Sequence, residues 1–380
     1  MRNLSVLIKP MSGMCNLNCD YCFYQDEIRN RSEGNYAMMN DETMKAIVQK
    51  AFHHSKGGKI SFCFQGGEPM LAGVEYYKKF VALVRAGVEK NQIIDYSIQT
   101  NGTILNEDWI NFFKENQFLV GVSLDGELSQ HDYFRKYING EGSFVDVMKT
   151  IDLMMKNDIP VNALAVITNQ NVSRARQTYD FLKCHNLTFM QFIPVIDSFR
   201  QSHQGKGLRR FSISPKEYEG FLKNLFDAWY KDIMDEKTVS IRLFENVLMM
   251  MMGYEPESCD MKGHCSIQYV IESNGNVYPC DFYCLDEYRI GNINQDSFED
   301  LSKAVKGMLF VKESYNQAQV CVSCKWRVLC RGGCRRYREM AGVQNGTNLF
   351  KYCQSYRKFF EYSYPRFNEI VKVIRQKANQ

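Results

Sequence analysis

Apolar and polar positions in the first half of the chain alternate between two periods. Short β-rich runs occur at Leu4–Ile8, Lys59–Gln65, Asp95–Thr100, Phe118–Leu124, Val161–Ile167 and Thr188–Ile193. Between them lie stretches of helical character at Asp41–His54, Val74–Glu89, Glu107–Asn116, Ser143–Lys156 and Arg174–His185. A sixth follows Ser214, where Ser-Pro-Lys-Glu reads as an N-cap with proline at N1, and it runs to Met234. Strand alternating with helix predicts a parallel sheet joined by right-handed crossovers. Six such units are too few to close an eight-unit barrel. The expected fold is therefore α/β, a partial (β/α)6 TIM-like barrel with its chemistry at the C-terminal ends of the strands.

Composition changes this picture little. The 380 residues are 45% hydrophobic and 24% charged, an ordinary globular balance that can bury a large core. A net charge of +4 gives no argument for nucleic acid or a membrane surface. The apolar run at the N-terminus is too short for a signal peptide, and no apolar window reaches the ~18 residues of a membrane span.

The cysteines change it more. There are fourteen, and without a secretion signal they point to a reducing, cytoplasmic compartment and to metal ligation, not disulfides. Three crowd into Cys15-x3-Cys19-x2-Cys22, directly after the first strand. Nine fall between Cys259 and Cys353, while Cys63 and Cys184 stand alone. The expected organisation is a barrel at 1–235, a linker and helix at 236–258, a cysteine-rich domain at 259–365 and a helical tail at 366–380. Three adjacent thiolates leave one metal position open, whereas structural zinc takes four ligands.

The spacing Cys15-x3-Cys19-x2-Cys22 resembles that of the radical S-adenosylmethionine (SAM) superfamily. There a [4Fe–4S] cluster on three cysteines chelates SAM through its open iron and splits it to a 5′-deoxyadenosyl radical. The second strand runs into Gln65-Gly66-Gly67-Glu68-Pro69, similar to the superfamily's GGEP motif, which contacts the amino group of SAM. The resemblance further implies cofactor contacts from Tyr21, Tyr24, Gln65, Ser123, Arg135 and Ile196, with Tyr24 packing on adenine, and a substrate peptide contact from Gln99. Asn101, Asp125 and Gly126 read equally well as turn caps after strands.

The later cysteines, Cys259-x5-Cys265…Cys280 and Cys321-x2-Cys324-x5-Cys330-x3-Cys334…Cys353, resemble the SPASM extension of radical SAM peptide-modifying enzymes. By that resemblance one auxiliary [4Fe–4S] cluster takes Cys259, Cys265, Cys280 and Cys334, and the other takes Cys321, Cys324, Cys330 and Cys353. Spacing alone also admits zinc, since both metals accept four thiolates. Ser273-Asn274-Gly275-Asn276 reads as the turn of a hairpin. Cys63 is expected to be a buried small residue, and Cys184 and Cys284 are expected to be incidental.

Tyr-Pro-Cys280-Asp281-Phe-Tyr, with Cys-Lys-Trp-Arg-Val-Leu-Cys-Arg-Gly-Gly-Cys-Arg-Arg downstream, closely resembles the anaerobic sulfatase-maturating enzymes, and the likeness extends over nearly the whole chain. A carboxylate beside a negatively charged cluster is disfavoured unless it is hydrogen-bonded or serves as a base. The family resemblance makes Asp281 the catalytic base. It implies oxidation of a cysteine or serine in a sulfatase motif, Cys/Ser-x-Pro/Ala-x-Arg, to Cα-formylglycine. It also implies three [4Fe–4S] clusters, SAM, and an electron donor such as flavodoxin or ferredoxin. A thioether-forming SPASM maturase is the nearer alternative, though such enzymes often carry a peptide-recognition domain before the first cluster motif, and here that motif begins at Cys15. A non-catalytic metal scaffold is the farther one and leaves Gly66-Gly67-Glu68 unexplained. Ser202–Arg210 reads as a polar, solvated loop.

Overall fold

A computed structural model describes residues 2–89, 92–198, 211–345 and 348–378, with side chains described for all of these except 341–345. The Ser202–Arg210 stretch lies outside the described residues. Among them, no helix is long and apolar enough to cross a membrane.

The chain divides into two compact units that do not follow a single cut along the sequence. The first contains Met1–Ser123, Arg135–Val161 and Ser266–Lys312, and the second contains Leu124–Phe134, Asn162–Cys265 and Glu313–Gln380.

In the first unit, β1 (Leu4–Ile8), β2 (Ile60–Phe64), β3 (Ile94–Thr100) and β4 (Leu119–Ser123) run parallel, with Leu4 beside Ile60, Ile60 beside Ile94 and Ser97 beside Leu119. These are four of the runs expected from the sequence, within two residues at each end. Alternate residues of β1 and β2 are fully covered, because helices pack on that face: Val6, Ile8, Ile60, Phe62 and Phe64 are all buried. The aromatic layer behind them interlocks edge to face, as with Phe64 against Tyr77 and Phe80. Asn40 caps the Asp41–Ser55 helix by accepting from Thr43 N, and Asn106 caps Glu107–Asn116 by accepting from Trp109 N.

The expected hairpin is present in the same unit. β9 (Asn276–Tyr278) runs antiparallel to β8 (Val270–Ile271), turning at Gly275 with φ +86°. Beyond what the sequence suggested, β8 adds in parallel to the free edge of β1, Leu7 beside Val270 and Ile8 beside Ile271. Four apolar residues in two short segments carry too little pattern to announce that pairing.

In the second unit, β5 (Val161–Ile167), β6 (Phe189–Pro194) and the short β7 (Ser240–Ile241) are parallel. The Pro215–Met234 helix starts as expected: Ser214 accepts from Glu217 N, and the Glu217 carboxylate accepts from Ser214 N. It packs on the long helix Cys353–Ala378 through Phe226, Trp229, Phe359 and Phe367. That helix continues through Pro365, so no structural break falls at 366.

Candidate active site

The loop after β1 carries the first three cysteines and is fastened on two sides. On one side, Glu68 N donates to Met14 O at 2.8 Å. On the other, the Asn101 side chain donates to Asn16 Oδ1 at 2.8 Å and lies 3.6 Å from Cys15 Sγ. Cys22 occupies the N-cap of the Phe23–Asn30 helix, where the N–H groups of Gln25 and Tyr24 point at its sulfur. Burial nevertheless pushes the Cys22 thiol up, and it pushes Cys15 up to about 12. Thiols held this firmly against ionisation become ligands when a metal replaces the proton. Cys15 and Cys22 feel each other's charge, and Arg135, stacked 5.3 Å over the Tyr21 ring, favours the Cys22 thiolate.

The two glycines of the β2 turn are required by space. At Gly66 (φ +90°) a Cβ would stand 2.5 Å from the stem of Lys9, and at Gly67 (φ +51°) it would stand 2.1 Å from Met14 O. Glu68 is fully buried. One carboxylate oxygen accepts from Thr100 Oγ1 at 2.8 Å and Met70 N at 2.9 Å, and the other accepts from Asn101 N at 2.6 Å. It thereby ties the end of β2 to the end of β3. Burial pushes Glu68 up from its ordinary 4.5 to about 7, and those three donors oppose the rise.

That shift has a sign. The folded state holds the proton more tightly, so the Glu68 contribution is full below pH 4.5 and is lost as pH rises to about 7. The Glu68→Gln variant should flatten the fall of the urea midpoint across that window. An unchanged slope would refute the assignment.

Gln99 and Ser123 face each other on neighbouring strands, the Gln99 amide donating to Ser123 Oγ at 3.2 Å. In the second unit, Ile196 is buried just after β6. Asp125 is buried too and accepts from Val166 N at 2.9 Å, a turn-fastening role. Cys63 is half-buried on β2, not enclosed as expected, because it points away from the covered face.

Asp281 begins the turn after β9 and meets the cysteine loop's own helix. Its Oδ2 accepts from Tyr24 OH at 2.8 Å and from the Gln65 amide at 3.1 Å, and Gln65 also donates to Tyr24 OH at 2.7 Å. Its Oδ1 lies 2.9 Å from Lys9 Nζ, an ion pair off the hydrogen-bond direction. The hydroxyl of Tyr24, whose ring is the part expected against adenine, is committed to this carboxylate, and burial followed by the Asp281 charge drives its own pKa well up.

Lys9 was not singled out by sequence. A lysine at a strand end ordinarily reads as solvated, yet this one is 1% exposed. Its ammonium lies 3.4 Å from Glu27, 3.5 Å from Glu272 and 3.1 Å from Cys284 Sγ, and 4.5 Å over the Tyr24 ring. Arg31 supplies a second cation, 2.8 Å from Glu272. Burial alone would lower the Lys9 pKa, but Asp281, Cys284, Glu27 and Glu272 outweigh it and hold the ammonium well above its usual value. Glu272 is held low: burial opposes this, and Lys9 with Arg31 prevails. Glu27 is pushed up by burial. Cys284, expected to be incidental, is enclosed in this network, and its N–H donates to Glu27.

The second unit holds a separate thiol-lined cavity of about 370 Å³, with Cys321, Cys324, Cys330 and Cys353 in its wall. Burial pushes Cys330 up to about 12, followed by the charges of Cys353, Cys321 and Cys324. Cys259, Cys265 and Cys334 neighbour one another elsewhere in that unit. Among the described residues, no group of three or more His, Cys, Asp or Glu converges on a single ion. Four thiols in one cavity wall are the donor set of a four-thiolate [4Fe–4S] cluster.

The radical SAM superfamily model matches residues 10–182, and the SPASM iron–sulfur cluster-binding domain matches 259–325. A cysteine-type anaerobic sulfatase-maturating enzyme of Clostridium novyi is 43% identical over 98% of this chain and 99% of its own length. The chain belongs to the anaerobic sulfatase-maturating enzymes. A serine-type member from Bacteroides thetaiotaomicron is 31% identical over 98% of this chain and 92% of its own. The solved structure of native anSMEcpe with bound AdoMet and Cp18Cys peptide superposes with a TM-score of 0.91 at 40% identity, covering 98% of this chain and 100% of that one. The enzyme is thus a radical SAM oxidoreductase with the superfamily's partial barrel and a SPASM domain. Its reaction converts a cysteine or serine to formylglycine.

Proposed function

We propose that the enzyme is a cysteine-type maturase acting on a Cys-x-Pro/Ala-x-Arg segment of a sulfatase polypeptide, with Asp281 as the base. The observation that carries this reading is the Asp281 carboxylate itself, set by Tyr24, Gln65 and Lys9 beside the Cys15–Cys22 loop. Relatives named cysteine-type are 40–43% identical and those named serine-type 28–31%, which favours cysteine. The functional division assigns SAM chemistry to residues 1–235 and two auxiliary [4Fe–4S] clusters to residues 259–365. Cys259, Cys265, Cys280 and Cys334 hold one, and the four thiols of the 370 Å³ cavity hold the other.

When bound, the cluster on Cys15, Cys19 and Cys22 supplies the electron that splits SAM and so the radical that removes a Cβ hydrogen. The protein's part is positional. Gly66 and Gly67 let the β2 turn close on the Lys9 stem and the Met14 carbonyl, which seats the cysteine loop, and Arg135 with Tyr21 stands beside Cys22. Tyr24 and Gln65 occupy Oδ2 of Asp281 and fix the plane of the carboxylate that takes the thiol proton.

The test is anaerobic turnover of a short Cys-x-Pro-x-Arg peptide with SAM and dithionite, read by mass spectrometry. Asp281→Asn should lower aldehyde formation by ~10²–10⁴-fold, the range for a general base, while SAM cleavage persists. The cysteine peptide should be converted faster than its serine counterpart. Equal aldehyde yield from Asp281→Asn would remove the base assignment, and preference for serine would remove the cysteine-type reading.

A further inference from the structure

Charges buried in the second unit are met by opposite charge at Asp232, which takes Lys183 and Lys237, and at Arg335, which takes Glu313 and Glu339. Arg338 is different. It is 3% exposed, and among the described residues no carboxylate pairs with it. It follows Cys334 by one helical turn, its N–H donating to Cys334 O at 3.2 Å. Its guanidinium donates to Ser314 O at 2.7 Å and Asn316 O at 3.3 Å, and its Nε is buried without a partner. Carbonyls satisfy donors but leave the full positive charge uncompensated. A guanidinium taken out of water this way is costly unless an anion arrives beside it.

Two ligand segments border this cation. Ser314 also accepts from Cys265 N on its hydroxyl, at 2.8 Å. Asn316 leads into the turn that ends at Cys321, whose N–H donates to Ala318 O at 2.9 Å. Burial pushes the Cys265 and Cys321 thiols up, and the Arg338 charge opposes that rise at both. Arg335 also acts on Cys265 but is already paired. Arg327 acts on Cys321 from an exposed position, where water and salt screen it.

We infer that Arg338 is a counter-ion shared by the two auxiliary clusters and that it holds both reduction potentials up. The inference rests on the assignment of [4Fe–4S] clusters to these thiols. Four thiolates outweigh the charge of an iron–sulfur core, so each closed cluster is an anion, and more so once reduced. A fixed cation therefore stabilises the reduced form more than the oxidised one, and burial extends its reach.

The experiment is an EPR-monitored redox titration of the full chain carrying Cys15→Ala/Cys19→Ala/Cys22→Ala, so that the auxiliary clusters alone report. Added Arg338→Met or Arg338→Gln should make the reduced form about tenfold scarcer at a fixed potential, a fall of ~59 mV in each midpoint for one electron. Arg338→Lys keeps the charge without the fork and should stay near the parental midpoints. Arg327→Met should shift them less than Arg338→Met does. Asn316→Asp changes an exposed side chain, so it tests the charge without disturbing the interior, and it should lower the midpoints in the same direction. Parental midpoints in Arg338→Met, Arg338→Gln and Asn316→Asp would overturn the inference. So would an equal fall in Arg338→Lys, or loss of iron with unshifted midpoints in the clusters that remain. Iron in the parent separates failure of the underlying assignment: ~8 per chain is expected, and a value near zero means that there are no auxiliary clusters to tune.

Discussion

Replacing Lys9 with methionine should destabilise the enzyme by ~3–5 kcal/mol and depress aldehyde formation by at least ~10²-fold, the first from stranding buried charge and the second from misplacing a base. The ammonium is the centre on which Asp281, Glu27 and Glu272 converge within 3.5 Å, and it is shut off from water. Arg31 continues to compensate Glu272, but nothing described replaces Lys9 beside Asp281 and Glu27. The two losses separate in a double variant. Adding Glu27→Gln removes one stranded carboxylate, so part of the urea midpoint should return. Activity should not return with it, because Asp281 still lacks its cation. Recovery of both together would mean that Lys9 acts only through stability, and a Lys9→Met enzyme of normal midpoint would refute the buried network.

Gly67→Ala should abolish SAM cleavage, again by ~10²-fold or more. The added carbon would meet the Met14 carbonyl at 2.1 Å, and that carbonyl belongs to the segment just before Cys15. Backbone cannot swing aside as a flexible side chain can, so the cysteine loop must move. Gly73→Ala is the control. Gly73 has φ +78°, so alanine there meets the same left-handed strain, but nothing lies within 4 Å of its Cβ. It should cost ~1 kcal/mol of stability and leave cleavage intact. Cleavage by Gly67→Ala at the parental rate would show that the loop is not held by this contact.

The strands and helix caps were legible because their signals are local. Alternate burial along β1 and β2 matches alternate hydrophobicity, and Ser214-Pro215 announces a helix start in four residues. The cysteine motifs were legible for the same reason. Lys9, Glu27 and Glu272 were not, because each is an ordinary charged residue until distant segments bring them together. Cys284 was read as incidental since its partners, Lys9 and Glu27, lie far back in the chain. The one available hint was Asp281, a carboxylate that needed hydrogen-bond donors and has them in Tyr24 and Gln65.

The pairing of β8 with β1 sets an order on biosynthesis. Leu7 leaves the ribosome well before its edge partner Val270. Until then the β1 edge is uncovered and Lys9 has neither Glu272 nor Asp281 beside it. A nascent chain that has already emerged through the barrel sequence therefore presents an open strand edge and an unsatisfied lysine, a state prone to wrong pairing. Slow synthesis before residue 270 should lower the yield of soluble enzyme, whereas a pause once β10 (Gly291–Asn292) has left the ribosome should be harmless.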